Sequence, residues 1–330
     1  MGGRPARRAS RILRAGPNRR FAGREGFVSP LRLAAAIRAA TLTILPRVAG
    51  SGEAAEKLIV TVAPTGSVPR KKDTPHVPVT PDEIAETAYR CEQEGASIIH
   101  VHCRDENERP TSRFEIFQET VEKIRKRTKL VVMTSTSGIA AQTDEDRATP
   151  LRTRPEMGSL TTGTLNFAGR KPSVVYVNTP ETVQFLAKAM FDQHIKPELE
   201  AFDVGFVQQG MRLIESGLVK EPAHFQLVMG VDGGVPATPE NLLHMRNQLP
   251  PTATYVVAGM ARMQLPMTTM AIVLGGHVRV GLEDNLYLKK GVLARNEELV
   301  ARARHLADDL QREVASPDEA RAIMGLAPRR

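Results

Sequence analysis

The chain has 330 residues, enough for one large α/β domain or two ordinary ones. Its 45 basic and 37 acidic side chains give a formal charge of +8, yet eleven arginines and three acids fall within residues 1–56, so residues 57–330 are neutral by count. With no Trp and four Tyr there are few platforms for stacking bases, two cysteines make no disulfide framework, and there is no apolar run of about eighteen residues to span a membrane; a nucleic-acid reader, a disulfide-stapled secreted scaffold and a transmembrane protein are all disfavoured, and a reducing, cytoplasmic setting is the default.

Residues 1–56 are Arg-rich, acid-poor and rich in Gly, Pro and Ala. Such a leader is expected to be disordered and to have no catalytic role. An organelle transit peptide shares that composition, and a nucleic-acid-binding arm is the functional alternative.

From residue 57 onward, short apolar runs alternate with helical stretches, the pattern of a parallel α/β fold. The run 57–63 is the first strand. Thr80-Pro81-Asp82-Glu83 opens a helix with an N-cap, a proline at the first position and a capping-box glutamate. The second strand, 97–103, carries His100 and His102, two apart and therefore on one side. Strands follow at 130–135, 155–160, 199–202, 225–229, 254–257 and 277–281, separated by helices at 114–127, 180 onward, 206–216, 239 onward and 265–274. The Val174–Val177 run is an extra strand-like piece, and closing helices are expected over 292–314 and 317–324. Eight βα units in this length predict a TIM (β/α)8 barrel; the doubly wound alternative lacks a G-x-G-x-x-G after its first strand.

Chemistry in such a barrel sits where the strands end. The polar residues at those ends are His100 and His102, Ser135 and Thr136, Ser159, and Arg279, Glu283 and Asp284. If the last strand continues far enough, Arg279 and Glu283 share its inner face, where an arginine needs a carboxylate or a bound anion. His100, His102 and Glu283 form a set of two imidazoles and one carboxylate that suits catalytic zinc, although ligand type alone also admits manganese or iron. His224 and His277 start their strands, on the opposite rim, and read as structural.

From Lys57 to Leu326 the chain resembles the β-keto acid cleavage enzyme family, through TVAPTG (61–66), VTPDEIAE (79–86), HVHCRD (100–105), PEMGSLTTGTLNF (155–167), PATPENLL (236–243), VAGMARMQLPM (257–267) and GGHVRVGLEDNLYLKKGVLA (275–294). The resemblance implies a zinc-dependent TIM barrel, assembled as a homotetramer, that converts a β-keto acid and acetyl-CoA into acetoacetate and a new acyl-CoA. It implies zinc on His100, His102 and Glu283. Substrate contacts fall on Ser135, Gly138 and Ser159, with Thr136 beside them, and proton transfer on Ser135, Asp284 and Arg279. A Lewis acid there would polarise the keto group, and a carboxylate oriented by Arg279 would act as base through Ser135.

Two departures stand out. Val68 replaces a glutamate that recognises the substrate amine in an aminohexanoate-cleaving member, so an apolar tail is expected, with Lys71 and Lys72 leaving an acidic one open. Ser137-Gly138 replaces a Gly-Gly pair. The competing readings are a TIM-barrel metallohydrolase of the amidohydrolase type, which places its H-x-H on the first strand, and a non-catalytic, basic-tailed binding protein.

Overall fold

The computed structural model of the chain describes residues 56–139, 141, 143–167 and 173–329. Apart from Glu56, the Arg-rich leader lies outside the described residues. Eight strands form a closed barrel: β1 (Val60–Val62), β2 (Ile98–Val101), β3 (Val131–Thr134), β4 (Met157–Thr161), β5 (Lys196–Ala201), β6 (His224–Met229), β7 (Thr254–Gly259) and β8 (His277–Val280). Each strand pairs in parallel with its neighbours in sequence, and β8 pairs back onto β1, with Thr61 opposite Arg279. This is the expected TIM barrel. No helix among the described residues is long and apolar enough to cross a membrane.

The helices around it are α1 (Pro81–Gln93), α2 (Phe114–Arg127), α3 (Asp144–Ala148), α4 (Pro180–Asp192), α5 (Val204–Glu215), α6 (Pro239–Arg246), α7 (Gln264–Val273), α8 (Asn296–Asp309) and α9 (Pro317–Ile323). Helices α1, α4, α6 and α9 start the same way, with a Thr or Ser whose side chain accepts a backbone N–H of the first turn, then a proline. The cap satisfies one of the turn's orphan donors, and the proline has none to lose. Helix α1 buries Ile84, Ala85, Ala88 and Cys91, the one-sided spacing that lays a helix on a sheet.

Alternation along the strands sorts the core into two. Outward side chains such as Val60, Val62, Ile99, Val132, Leu160, Leu199, Val257 and Val278 are buried under the helices. A second cluster contains Ile59, Ile98, Val131, Met133 and Met157, together with Ala315, Ala320 and Met324 from the α9 region. Each such apolar side chain contributes about 1.5–3 kcal/mol by leaving water.

The boundaries differ most from expectation in three places. Strand β5 starts at Lys196 and ends at Ala201, three residues earlier than read at its start. Strand β2 ends at Val101; Cys103–Arg104 instead pairs with Pro110–Thr111 in a small antiparallel hairpin, so His102 sits at the break. The segment at 292 is not helical: Tyr287–Lys289 pairs with Val292–Leu293 before α8 begins at Asn296. Helix α7 has two faces: Leu265 and Val273 are exposed while Met267, Ala271 and Ile272 are buried. The Val174 run lies outside the barrel, as expected, paired with Leu165–Phe167.

Candidate metal and catalytic site

His100 and His102 face the same side, with ring centroids 4.9 Å apart. Glu283 closes the group: its Oε2 lies 3.9 Å from His100 Nε2 and its Oε1 lies 3.5 Å from His102 Nε2. One ligand atom from each of the three residues falls within 4.8 Å of the others. A cation fits this donor set of two nitrogens and a carboxylate. Glu283 Oε2 is buried without a hydrogen-bond partner, the condition an ion relieves. The other nitrogen of His102, Nδ1, is 3.2 Å from Ser67 Oγ, which fixes the ring as outer groups do at metal sites. Burial holds His100 well below the usual imidazole range, so it stays neutral and keeps its lone pair.

Glu283 arrives by a different route from the one expected. Strand β8 ends at Val280, so strand parity does not carry the inner face to residue 283. Instead Gly281 turns the chain at φ 140°, the Glu283 N–H donates to the Ala63 carbonyl at 3.1 Å, and the Leu282 N–H donates to Asn296 Oδ1. Asn296 also donates to the Pro64 carbonyl, tying this turn to the β1 loop. Gly66, at φ 60°, leaves room for the carboxylate: a Cβ there would stand 2.4 Å from Glu283 Cγ.

Arg279 is buried and forked. Its Nε and Nη2 donate to the two oxygens of Asp284 at 2.9 and 2.8 Å, and Nη2 also meets Glu283 Oε1 at 2.7 Å. Nη1 reaches Gln226 Oε1 at 3.3 Å, and Gln226 Nε2 donates to Glu198 Oε2 at 2.9 Å. The need for a carboxylate beside Arg279 is thus met by Asp284. Arg279 and the two imidazoles hold Glu283 well below the carboxylate range, whereas burial outweighs Arg279 at Asp284 and raises it to about 6.

Ser135, Ser159, Arg279, Glu283, Asp284 and His102 line one cavity of about 160 Å3. Thr136 and Gly138 do not line it. Thr136 Oγ1 donates to the Ser159 carbonyl at 2.6 Å, and Gly138 packs against Arg147 and Tyr176. Both shape the loop after β3. Ser135 Oγ accepts the Ser137 N–H at 3.1 Å. His224 and His277 lie on the other rim, as expected: His277 Nδ1 accepts the Ile59 N–H, and His224 Nδ1 meets Thr254 Oγ1.

Several site residues escape a reading of the sequence. Glu198 and Glu200 point inward from β5; burial raises them to about 7 and about 6, and Glu200 bonds Thr161 Oγ1. Their signal is two glutamates at spacing two inside an apolar run, hidden when that strand is begun at residue 199. The cavity wall also has an apolar part, Val68, Ile139, Phe167, Phe202, Val228 and Met260, beside the polar Ser137, Thr161, Glu200 and Gln226.

Eight parallel strands that carry, where they end, a cluster of two histidines and a carboxylate beside an Arg–Asp fork define a TIM-barrel enzyme with a candidate metal centre. The profile of the β-keto acid cleavage enzymes matches residues 57–326, and the chain belongs to that family. It is 41% identical over 274 residues to a 3-keto-5-aminohexanoate cleavage enzyme of Acetoanaerobium sticklandii, covering 82% of this chain and 99% of the relative. It is 39% identical over 272 residues to a 3-oxoadipate:acetyl-CoA acetyltransferase of Cupriavidus necator, covering 81% and 94%. Among solved structures, apo ObcA superposes with a TM-score of 0.66 at 21% identity, over 76% of this chain and 66% of that one, a likeness of fold.

Proposed function

We propose that the chain cleaves a β-keto acid at the expense of acetyl-CoA: R–CO–CH2–COO⁻ and acetyl-CoA give R–CO–CoA and acetoacetate. The carboxymethyl carbon leaves the R–CO carbon and joins the acetyl carbon, while the thiolate passes the other way. The observation that carries the reading is the Arg279–Asp284 fork beside the His100–His102–Glu283 cluster in a single cavity. The relatives' names point the same way: one cleaves a 3-keto acid and the other transfers acetyl from acetyl-CoA to a 3-oxo acid.

In this reading His100, His102 and Glu283 hold one zinc ion per subunit, which supplies Lewis-acid polarisation of the keto group. Asp284, kept ionised at neutral pH yet close to its own titration, takes a proton from the carbon to be transferred and works through Ser135. Arg279 holds Asp284 in place and does not release its own proton. Ser135 and Ser159 bind the substrate's polar end, and Thr136 and Gly138 set the loop that presents Ser135.

The tail R is apolar in this reading. Val68 is exposed at the cavity, where an amine-recognising carboxylate would have to stand, and the neighbouring wall is Ile139, Phe167, Phe202 and Val228. Lys71 is already paired with Glu83 at 2.8 Å, which removes one candidate partner for an acidic tail. Assembly as a homotetramer in the cytoplasm completes the proposal; exposed Val175, Val177 and Phe185 offer apolar surface for subunit contacts.

The test mixes zinc-loaded protein with acetyl-CoA and β-keto acids bearing apolar, acidic and cationic tails, with products read by mass spectrometry. Acetoacetate plus the matching acyl-CoA is the expected result. No acyl-CoA from any tail, in protein shown to hold zinc, would overturn the reading and favour hydrolysis.

A further inference from the structure

Arg147, on α3, is 5% exposed. Its guanidinium is spent on neutral acceptors: Nε donates to the Thr136 carbonyl at 3.0 Å, Nη1 to the Val177 carbonyl at 3.3 Å, and Nη2 to Asn178 Oδ1 at 2.7 Å and the Tyr176 hydroxyl at 3.4 Å. Among the described residues no carboxylate lies within ion-pair distance of it. A buried guanidinium without a counter-charge is expensive, and its field extends into whatever low-dielectric space adjoins it.

The adjoining space is the substrate cavity. Tyr176 lines that cavity, and the Arg147 Cζ sits 5.6 Å from its ring centroid, so the face through which the ring would attract a cation is engaged from within the protein. Phe167, also in the wall, stacks on Tyr176 with centroids 6.2 Å apart. Gly138, in the loop that presents Ser135, has room for no more than ordinary contact with Arg147 and Tyr176. Arg147 itself lines a small side cavity whose other walls include His102, Ser135 and Ser137.

We propose that Arg147 is a specificity-determining residue: its unpaired positive charge behind the Tyr176 wall rejects cationic acyl tails, while its fork ties the loop after β3 to that wall. The inference rests on the proposed reaction. It assigns charge selection to a residue that does not touch the reacting atoms, in addition to the missing carboxylate at Val68.

The test is a competition between two β-keto acids of the same shape, one with a neopentyl tail and one with the isosteric trimethylammonium-methyl tail, each supplied with acetyl-CoA. The ratio of the two acyl-CoA products is read by mass spectrometry for full-length wild type, Arg147→Gln and Arg147→Lys, after thermal melts show that each variant folds. Wild type is expected to prefer the neutral tail by about tenfold or more, the size of a unit-charge repulsion across several ångströms of protein. Arg147→Lys keeps the charge and loses the fork, so both products fall together and the ratio stays. Arg147→Gln loses the charge, and the ratio moves toward one. A ratio unchanged in Arg147→Gln, or one lost equally in both variants, overturns the inference alone. Absence of any acyl-CoA from wild type overturns the proposed reaction itself.

Discussion

Gly281 lies so close to Ala63 that a Cβ at Gly281 would stand 2.2 Å from the Ala63 carbonyl oxygen. That oxygen is the acceptor for the Glu283 N–H, so one backbone contact decides both where β8 turns and where the carboxylate hangs. Gly281→Ala adds a methyl group against backbone, at a φ that side chains avoid. A loss of more than about 2 kcal/mol in chemical denaturation is expected, together with loss of metal retention. A variant as stable as wild type that binds metal normally would show that the turn can relax.

The Arg279–Asp284 fork leads to a second expectation. Asp284→Asn keeps the shape and removes the proposed base. Turnover should fall about 100- to 10,000-fold while metal content is unchanged. Arg279→Met should cost more in stability, about 3–5 kcal/mol, because it strands buried carboxylates that had a counter-charge. Steady-state rates and urea denaturation on the two variants separate the roles.

His102→Ala removes one of three candidate ligands. After dialysis, metal analysis should find the variant depleted where wild type retains about one ion per chain, and turnover should vanish with the ion. Full retention in the variant would place the ion elsewhere.

His224 provides a pH test away from the cluster. Burial lowers its pKa to about 3, whereas the unfolded chain titrates near 6.5. The unfolded state therefore takes up a proton that the folded barrel refuses, and the stability this contributes is complete above pH 6.5 and drains away as pH falls toward 3. Between pH 7 and pH 5 the cost is about 2 kcal/mol. His224→Gln should lose that much less than wild type over the same interval, measured by denaturant unfolding at both values.

The barrel was readable because its eight strands are short apolar runs between helices, three of which announce their starts with Thr-Pro. The histidine pair was readable because strand geometry turns spacing two into one face. Glu283 stands beside the two imidazoles, but strand parity does not bring it there: the strand stops at Val280, and a glycine turn pinned by Asn296 delivers the side chain. The polar column Arg279–Gln226–Glu198 was not legible, since an acid inside a barrel looks like a strand end until its partner on another strand is known. Nor was Arg147, whose acceptors are carbonyls of residues 136 and 177 and side chains of residues 176 and 178; local patterns do not report contacts of that range.

The pairing of β8 with β1 also has a temporal meaning. His100 and His102 leave the ribosome some 180 residues before Glu283 does, as their numbering shows. Glu283 hangs from a carbonyl of the first strand's edge, so the carboxylate joins the imidazoles only after the two ends of the ring have met. A growing or truncated chain carries the histidines without the candidate third ligand or the Arg–Asp fork. The cluster is complete only where the ring has closed, and an ion bound there would serve as a clasp on the seam.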